Sequence, residues 1–124
     1  MIILLDTSTV TCFLTVVEGE MKRDFEWQAE RTLAHGLLKF LEEKTGDLHD
    51  ISGIGVMKGP GSFTGLRIGL TVANTLADSL NIPIVGAMGE DWREMALGKL
   101  RVGENERIVM PEYGAAAHIT APRK

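Results

Sequence analysis

The chain has 124 residues, of which 44% are hydrophobic and 24% charged, and a formal net charge of −4. That is enough apolar material for the core of one domain and too much for a disordered acidic chain. The negative balance lacks the basic footprint of a stand-alone nucleic-acid binder, so a role in RNA biology would leave the RNA to a partner. A single cysteine, Cys12, excludes an internal disulfide framework and a cysteine-only zinc site.

Residues 1–5 are apolar but meet Asp6 at once, with no basic leader and too little length for a signal core or a membrane span. The expectation is a cytoplasmic protein with no membrane contact. Residues 2–6 read as a strand buried on both faces, followed by the polar turn Asp6-Thr7-Ser8-Thr9. Residues 10–17 are rich in β-branched side chains, with Val10, Cys12, Leu14 and Val16 on one face and Thr11, Phe13, Thr15 and Val17 on the other. Glu18-Gly19-Glu20 is a hairpin turn, and residues 21–27 alternate strictly as a half-exposed strand towards a sheet edge.

The period then changes. Leu33, Leu37, Phe40 and Leu41 share one helical stripe within residues 32–44, opposite Lys39, Glu42 and Glu43, and Gly46-Asp47 is the stop. Residues 51–57 read as a strand whose glycines allow close packing. A glycine-rich loop leads into a second helix over 63–80. Residues 81–86 are a short strand opened by Pro83, residues 90–97 a short helix, residues 108–110 a last strand, and residues 114–124 an irregular tail. The order βββαβαβα predicts an α/β fold, a mixed sheet with helices packed on it. The pattern divides the chain into a lobe over 1–98 and a C-terminal extension over 99–124.

The sharpest local feature is Lys58-Gly59-Pro60-Gly61-Ser62-Phe63-Thr64-Gly65-Leu66-Arg67-Ile68-Gly69. Between a strand and a helix, such a loop aims free backbone N–H groups and the positive helix end at one spot, which suits an anion. It is not a P-loop, because Leu66-Arg67 stands where a Lys-Ser/Thr pair is needed. Nor is it a dinucleotide fingerprint or a serine-hydrolase elbow, since the glycines at 59, 61 and 65 have the wrong spacing for both. By pattern alone, a structural turn with Ser62 or Thr64 as helix cap is the preferred reading.

Placed at about 100° per residue, Arg67, Thr71, Asn74 and Asp78 fall in one narrow polar arc of the second helix. The apolar or small arc covers roughly 200°, about twice what one core-facing helix needs. Within it Gly65, Gly69, Ala73 and Ala77 recur every fourth residue, a stripe that admits a close neighbour. The second buried side meets helix 32–44 of the same chain, a partner, or both. His35, His49 and His118 show no metal-ligand spacing, Cys12 reads as an inert core thiol, and Trp27 and Trp92 as core or interface residues.

Leu5-Asp6-Thr7-Ser8-Thr9 and the string from Lys58 to Gly69 closely resemble the signatures of the TsaB (YeaZ) family. His35 and Ile82-Pro83-Ile84-Val85-Gly86 fit at their places, and the match covers about residues 1–90. The resemblance implies a ribonuclease-H-like lobe of the actin-like ATPase superfamily. It also implies a part in making threonylcarbamoyladenosine in tRNA, where TsaC makes threonylcarbamoyl-adenylate and TsaD transfers the group to the adenosine beside the anticodon. A TsaB-like chain would be the non-catalytic partner that binds and activates TsaD through helices of its first domain, with the ATPase TsaE joining them. On that basis the partner interface falls on Leu33, Leu37, Gly65, Leu66, Gly69, Leu70, Ala73 and Ala77. Contact with phosphate or nucleotide falls on Asp6, Thr7, Ser8, Gly59, Gly61 and Ser62, with no cofactor required beyond ATP or ADP at an interface shared with TsaD or TsaE. No metal site and no catalytic residue are expected, tRNA is met only indirectly, and a homodimer forms when TsaD is absent.

Family members have two similar lobes and are nearly twice as long. Here the pattern stops near residue 98, while Pro111-Glu112-Tyr113 and Thr120-Ala121-Pro122-Arg123-Lys124 resemble the family's C-terminal end. The expectation is a short form that lacks the second lobe from its middle. The competing functional reading is a small nucleotide-dependent enzyme of the same superfamily, an ATPase or a peptidase-like homologue. A site without an opposing lobe stays open to water, where fixed charges lose most of their catalytic value.

Overall fold

The computed structural model of the chain describes residues 1–113. Three strands come first: β1 (Ile2–Asp6), β2 (Thr11–Glu18) and β3 (Met21–Gln28). Then α1 (Leu33–Thr45), β4 (Gly53–Met57), α2 (Phe63–Leu80), β5 (Ile84–Ala87) and α3 (Trp92–Arg101) alternate. The sheet order is β3-β2-β1-β4-β5. The β1–β2 and β2–β3 pairs are antiparallel, and β1–β4 and β4–β5 are parallel. This is the mixed sheet and the βββαβαβα order that the periodicity predicts.

The two faces of the sheet separate the helices. Ile3 and Leu5 of β1, Cys12, Leu14 and Val16 of β2, and Ile54 and Val56 of β4 join Leu37, Phe40 and Leu41 of α1 and Leu70, Ala73, Leu76 and Ala77 of α2 in one core. Leu4, Val17 and Val85 join Trp92, Ala96 and Leu97 of α3 in a second core on the opposite face. The period of two in the strands makes this division, since adjacent residues such as Leu4 and Leu5 point to opposite sides. Both are nearly inaccessible, as expected of a strand buried on both faces. In β3 only Phe25 and Trp27 turn inwards, and Trp27 packs on Phe40 with ring centroids 5.2 Å apart. Met21 remains 69% exposed at the sheet edge.

Three expectations need correction. The last helix runs over Trp92–Arg101 rather than 90–97. Gly89 at φ +95° holds the chain out of helix before it, and Trp92, Ala96, Leu97 and Leu100 carry the apolar stripe past residue 97. The boundary drawn after residue 98 therefore falls inside a continuous helix. No strand forms over 108–110, because both main-chain groups of Val109 bond to the side chain of Asn74 instead of a ladder. The tail expected over 114–124 lies outside the described residues.

Trp92 is 2% exposed and is the largest side chain under α3. Trp92→Ala is expected to lower stability by about 3–5 kcal/mol, read from the midpoint of urea unfolding.

Candidate functional site: the glycine loop and the helix pair

The polar turn after β1 meets the start of α2. Asp6 Oδ1 accepts from the Ser8 amide at 2.8 Å and from Ser8 Oγ at 2.6 Å. Thr7 Oγ1 donates to the Gly65 carbonyl at 2.8 Å, and the Ser62 amide donates to the Ser8 carbonyl at 2.7 Å. Ser62 caps α2, its hydroxyl accepting from the Gly65 amide. Three glycines make this approach possible. A Cβ on Gly61 would come within 2.5 Å of the Ser8 side chain, and one on Gly65 or Gly69 would collide with Thr7.

So Asp6, Thr7, Ser8, Gly61 and Ser62 are brought together, and much of their hydrogen bonding is spent on one another. Gly59 stands apart from them, against the Glu112 main chain. The cluster's first chemistry is mechanical: it bolts the β1–β2 turn to the N-terminus of α2. Thr7 and Ser8 are buried, whereas Gly61 and Ser62 remain exposed at the rim.

The small-residue stripe of α2 faces inwards. Leu33, Leu37, Leu66, Leu70, Ala73 and Ala77 are all buried within the chain, Gly69 is buried against Thr7, and Gly65 is half-buried. The partner face expected on these residues is therefore displaced. The every-fourth spacing serves the approach of α2 to its own sheet and β1–β2 turn.

What the helices leave open is the neighbouring face. Ala34 and Leu38 of α1 oppose Thr64, Arg67, Ile68, Thr71, Val72 and Thr75 of α2 across a shallow groove. Leu38 is 49% exposed, and Ile68 and Val72 are half-buried. Sequence reasoning missed this set by placing Thr71 in a polar arc. The signal was present: 64, 68, 71, 72 and 75 share one helical stripe once the glycine stripe is assigned to the sheet.

Other candidates resolve simply. His35 is exposed on α1, and no group of three or more metal-ligating side chains occurs among the described residues. Burial, with a smaller push from Asp6, raises the Cys12 thiol from its ordinary 9.0 to about 12. No helix among the described residues is long and apolar enough to cross a membrane.

Comparison with known proteins bears on this geometry. The family profile matching residues 29–88, which run from before α1 to just past β5, is described as TsaD, tRNA N6-adenosine threonylcarbamoyltransferase. The chain is 31% identical over 113 residues to the tRNA threonylcarbamoyladenosine biosynthesis protein TsaB of Escherichia coli (strain K12), covering 87% of this chain and 48% of that protein. It is 44% identical over 50 residues to the tRNA N6-adenosine threonylcarbamoyltransferase of Syntrophus aciditrophicus (strain SB), covering 40% of this chain and 15% of that one. Among solved structures, YeaZ from Pseudomonas aeruginosa superposes with a TM-score of 0.60 at 24% identity, over 76% of this chain and 50% of that chain.

The sheet order and this superposition define a lobe of the actin-like, ribonuclease-H-like class. Over most of its length the chain is similar to the TsaB (YeaZ) proteins. It spans about half the length of the curated TsaB relatives that it matches over most of its own length.

Two outcomes follow from this geometry. Gly69→Ala is expected to cost about 1–3 kcal/mol in urea unfolding, because its methyl group has no space beside Thr7. The native Cys12 thiol is expected to ignore a thiol reagent at pH 8 that modifies the urea-unfolded chain. Because the folded thiol ionises later than the unfolded one, its contribution to stability is present below pH 9.0 and is lost as pH rises towards about 12.

Proposed function

We propose that this chain is a non-catalytic subunit that binds TsaD through the open face of α1 and α2 and supports threonylcarbamoylation of tRNA. The observation that carries the reading is the position of that face. It lies within the same stretch, residues 29–88, that matches the TsaD description. A partner built on the same segment presents a similar helix pair, so two such pairs can pack face to face around a pseudo-two-fold axis. The threonines and Ala34 keep the groove shallow enough for close helix contact, while Leu38, Ile68 and Val72 supply the apolar area.

The net charge of −4 supports a subunit that leaves tRNA to its partner. The self-satisfied turn at Asp6-Thr7-Ser8 supports a structural rather than a catalytic role for that cluster. ATP or ADP would then be shared with TsaD or TsaE at the exposed Gly61-Ser62 rim, not held by this lobe alone. Without TsaD, the same helix face would pair with its own copy. On this reading the protein works in the cytoplasm.

The test is co-purification with TsaD of the same organism, with the tRNA modification assay run with and without this chain. Leu38→Asp together with Val72→Asp is expected to weaken the complex by about tenfold or more, with the circular dichroism spectrum unchanged. A folded double variant that binds TsaD as tightly as the parent chain would remove the proposed face. An unmodified chain that hydrolyses ATP by itself would favour the enzyme reading instead.

A further inference from the structure

Among the described residues no strand lies beside the outer edge of β5, yet its main chain is not open. The Ile84 amide donates to Asn105 Oδ1 at 3.1 Å, and the Ile84 carbonyl accepts from the Glu106 amide at 2.9 Å. The Gly86 amide donates to Glu106 Oε2 at 3.0 Å, and the Gly86 carbonyl accepts from Lys99 Nζ at 2.8 Å. Further along, Asn74 of α2 reads one residue in both directions: its Nδ2 donates to the Val109 carbonyl at 3.0 Å, and its Oδ1 accepts from the Val109 amide at 2.9 Å. The Glu112 amide then donates to the Lys58 carbonyl at 2.7 Å.

Two glycines clear the way for this segment. A Cβ on Gly86 would stand 2.6 Å from Val109 Cγ1, and one on Gly59 would collide with the Glu112 carbonyl. Within 105–112 only the Val109 side chain is buried. The segment is held by main-chain hydrogen bonds and one apolar anchor, which is how grooves and sheet edges take extended peptides. It joins α3 through Val102-Gly103-Glu104, all exposed.

We propose that β5, α2 and the Lys58-Gly59 corner form a peptide groove that residues 105–112 fill from within the chain, and that a second copy of this chain fills it by exchanging the same segment. The identical segment is the occupant because it remakes every one of these bonds, and the exchange opens only the turn in which the Gly103 and Glu104 amides donate to the Leu100 and Lys99 carbonyls. Attachment gives the internal segment a high effective concentration, so the exchanged form belongs to concentrated protein. This assembly uses a surface separate from the α1–α2 face and stands or falls independently of TsaD binding.

The experiment uses the full chain carrying Val109→Asp, which unseats the internal segment, and a fluorescent peptide of residues 104–113. The expected result is saturable capture of the peptide by Val109→Asp and little capture by the unaltered chain, whose own segment competes. Adding Asn74→Ala should weaken capture by about tenfold or more, since two hydrogen bonds are lost. A folded Val109→Asp chain that captures no peptide overturns the proposal, as does capture indifferent to Asn74. Should Val109→Asp fail to fold by circular dichroism, Asn105→Ala with Glu106→Ala releases the segment while keeping the Val109 anchor for the same assay. If neither variant folds, the segment is an inseparable part of the core and the proposal is wrong.

Discussion

The contact on which the rest of this lobe depends is the approach of α2 to the turn after β1. Thr7 donates to the Gly65 carbonyl, and its side chain occupies the space that any residue larger than glycine at 69 would need. That single approach fixes several things together. It sets the height of α2 above the sheet, it orients Ser62 to cap the helix, and it ties β1 and β2 to an element far along the chain. Interiors pack at nearly crystalline density, so a methyl group at this point is not absorbed elsewhere.

The same contact redistributes the faces of α2. With Gly65, Gly69, Ala73 and Ala77 committed to the sheet side, the apolar surplus of the helix lies beside α1, at Ile68 and Val72. A helix that is apolar over more than one core-facing arc has to cover the excess with something. Part of it meets α1 of the same chain, and the remainder is the shallow groove shared with Ala34 and Leu38. The proposed partner face is thus a by-product of how the glycine stripe is spent.

Much of the fold was legible in the sequence because its signals are local and strong. The alternation in β3, the continuous apolar run of β1 and the eighteen-residue helix α2 each show their own period. The last helix was less legible because its stripe rests on Ala96 and Leu97 with Gly98 beside them, so its end depends on packing against β4 and β5. The apparent strand over 108–110 failed for a related reason: β-branched residues favour extended backbone, but the partner here is an amide side chain rather than a ladder. In the candidate site, the small residues at 65, 69, 73 and 77 marked a side of α2 that admits a close neighbour. They could not tell which molecule approaches, because a small-residue stripe looks the same whether its neighbour is another chain or the protein's own turn. The face that remains open shows only as what is left after that assignment.

The two borders of the sheet carry a further meaning. At β5 the outward groups are answered by Lys99, Asn105 and Glu106, so no ladder is presented there. At β3 the eight-residue strand is long and uncovered, yet Lys22, Arg23, Asp24 and Glu26 stand exposed along it. An incoming strand would have to accommodate charges of both signs, which discourages edge-to-edge growth. A small lobe with a flat, unguarded border would be a template for fibres. Here both borders resist that outcome, so the open surface of this lobe lies on its helices and not along its sheet.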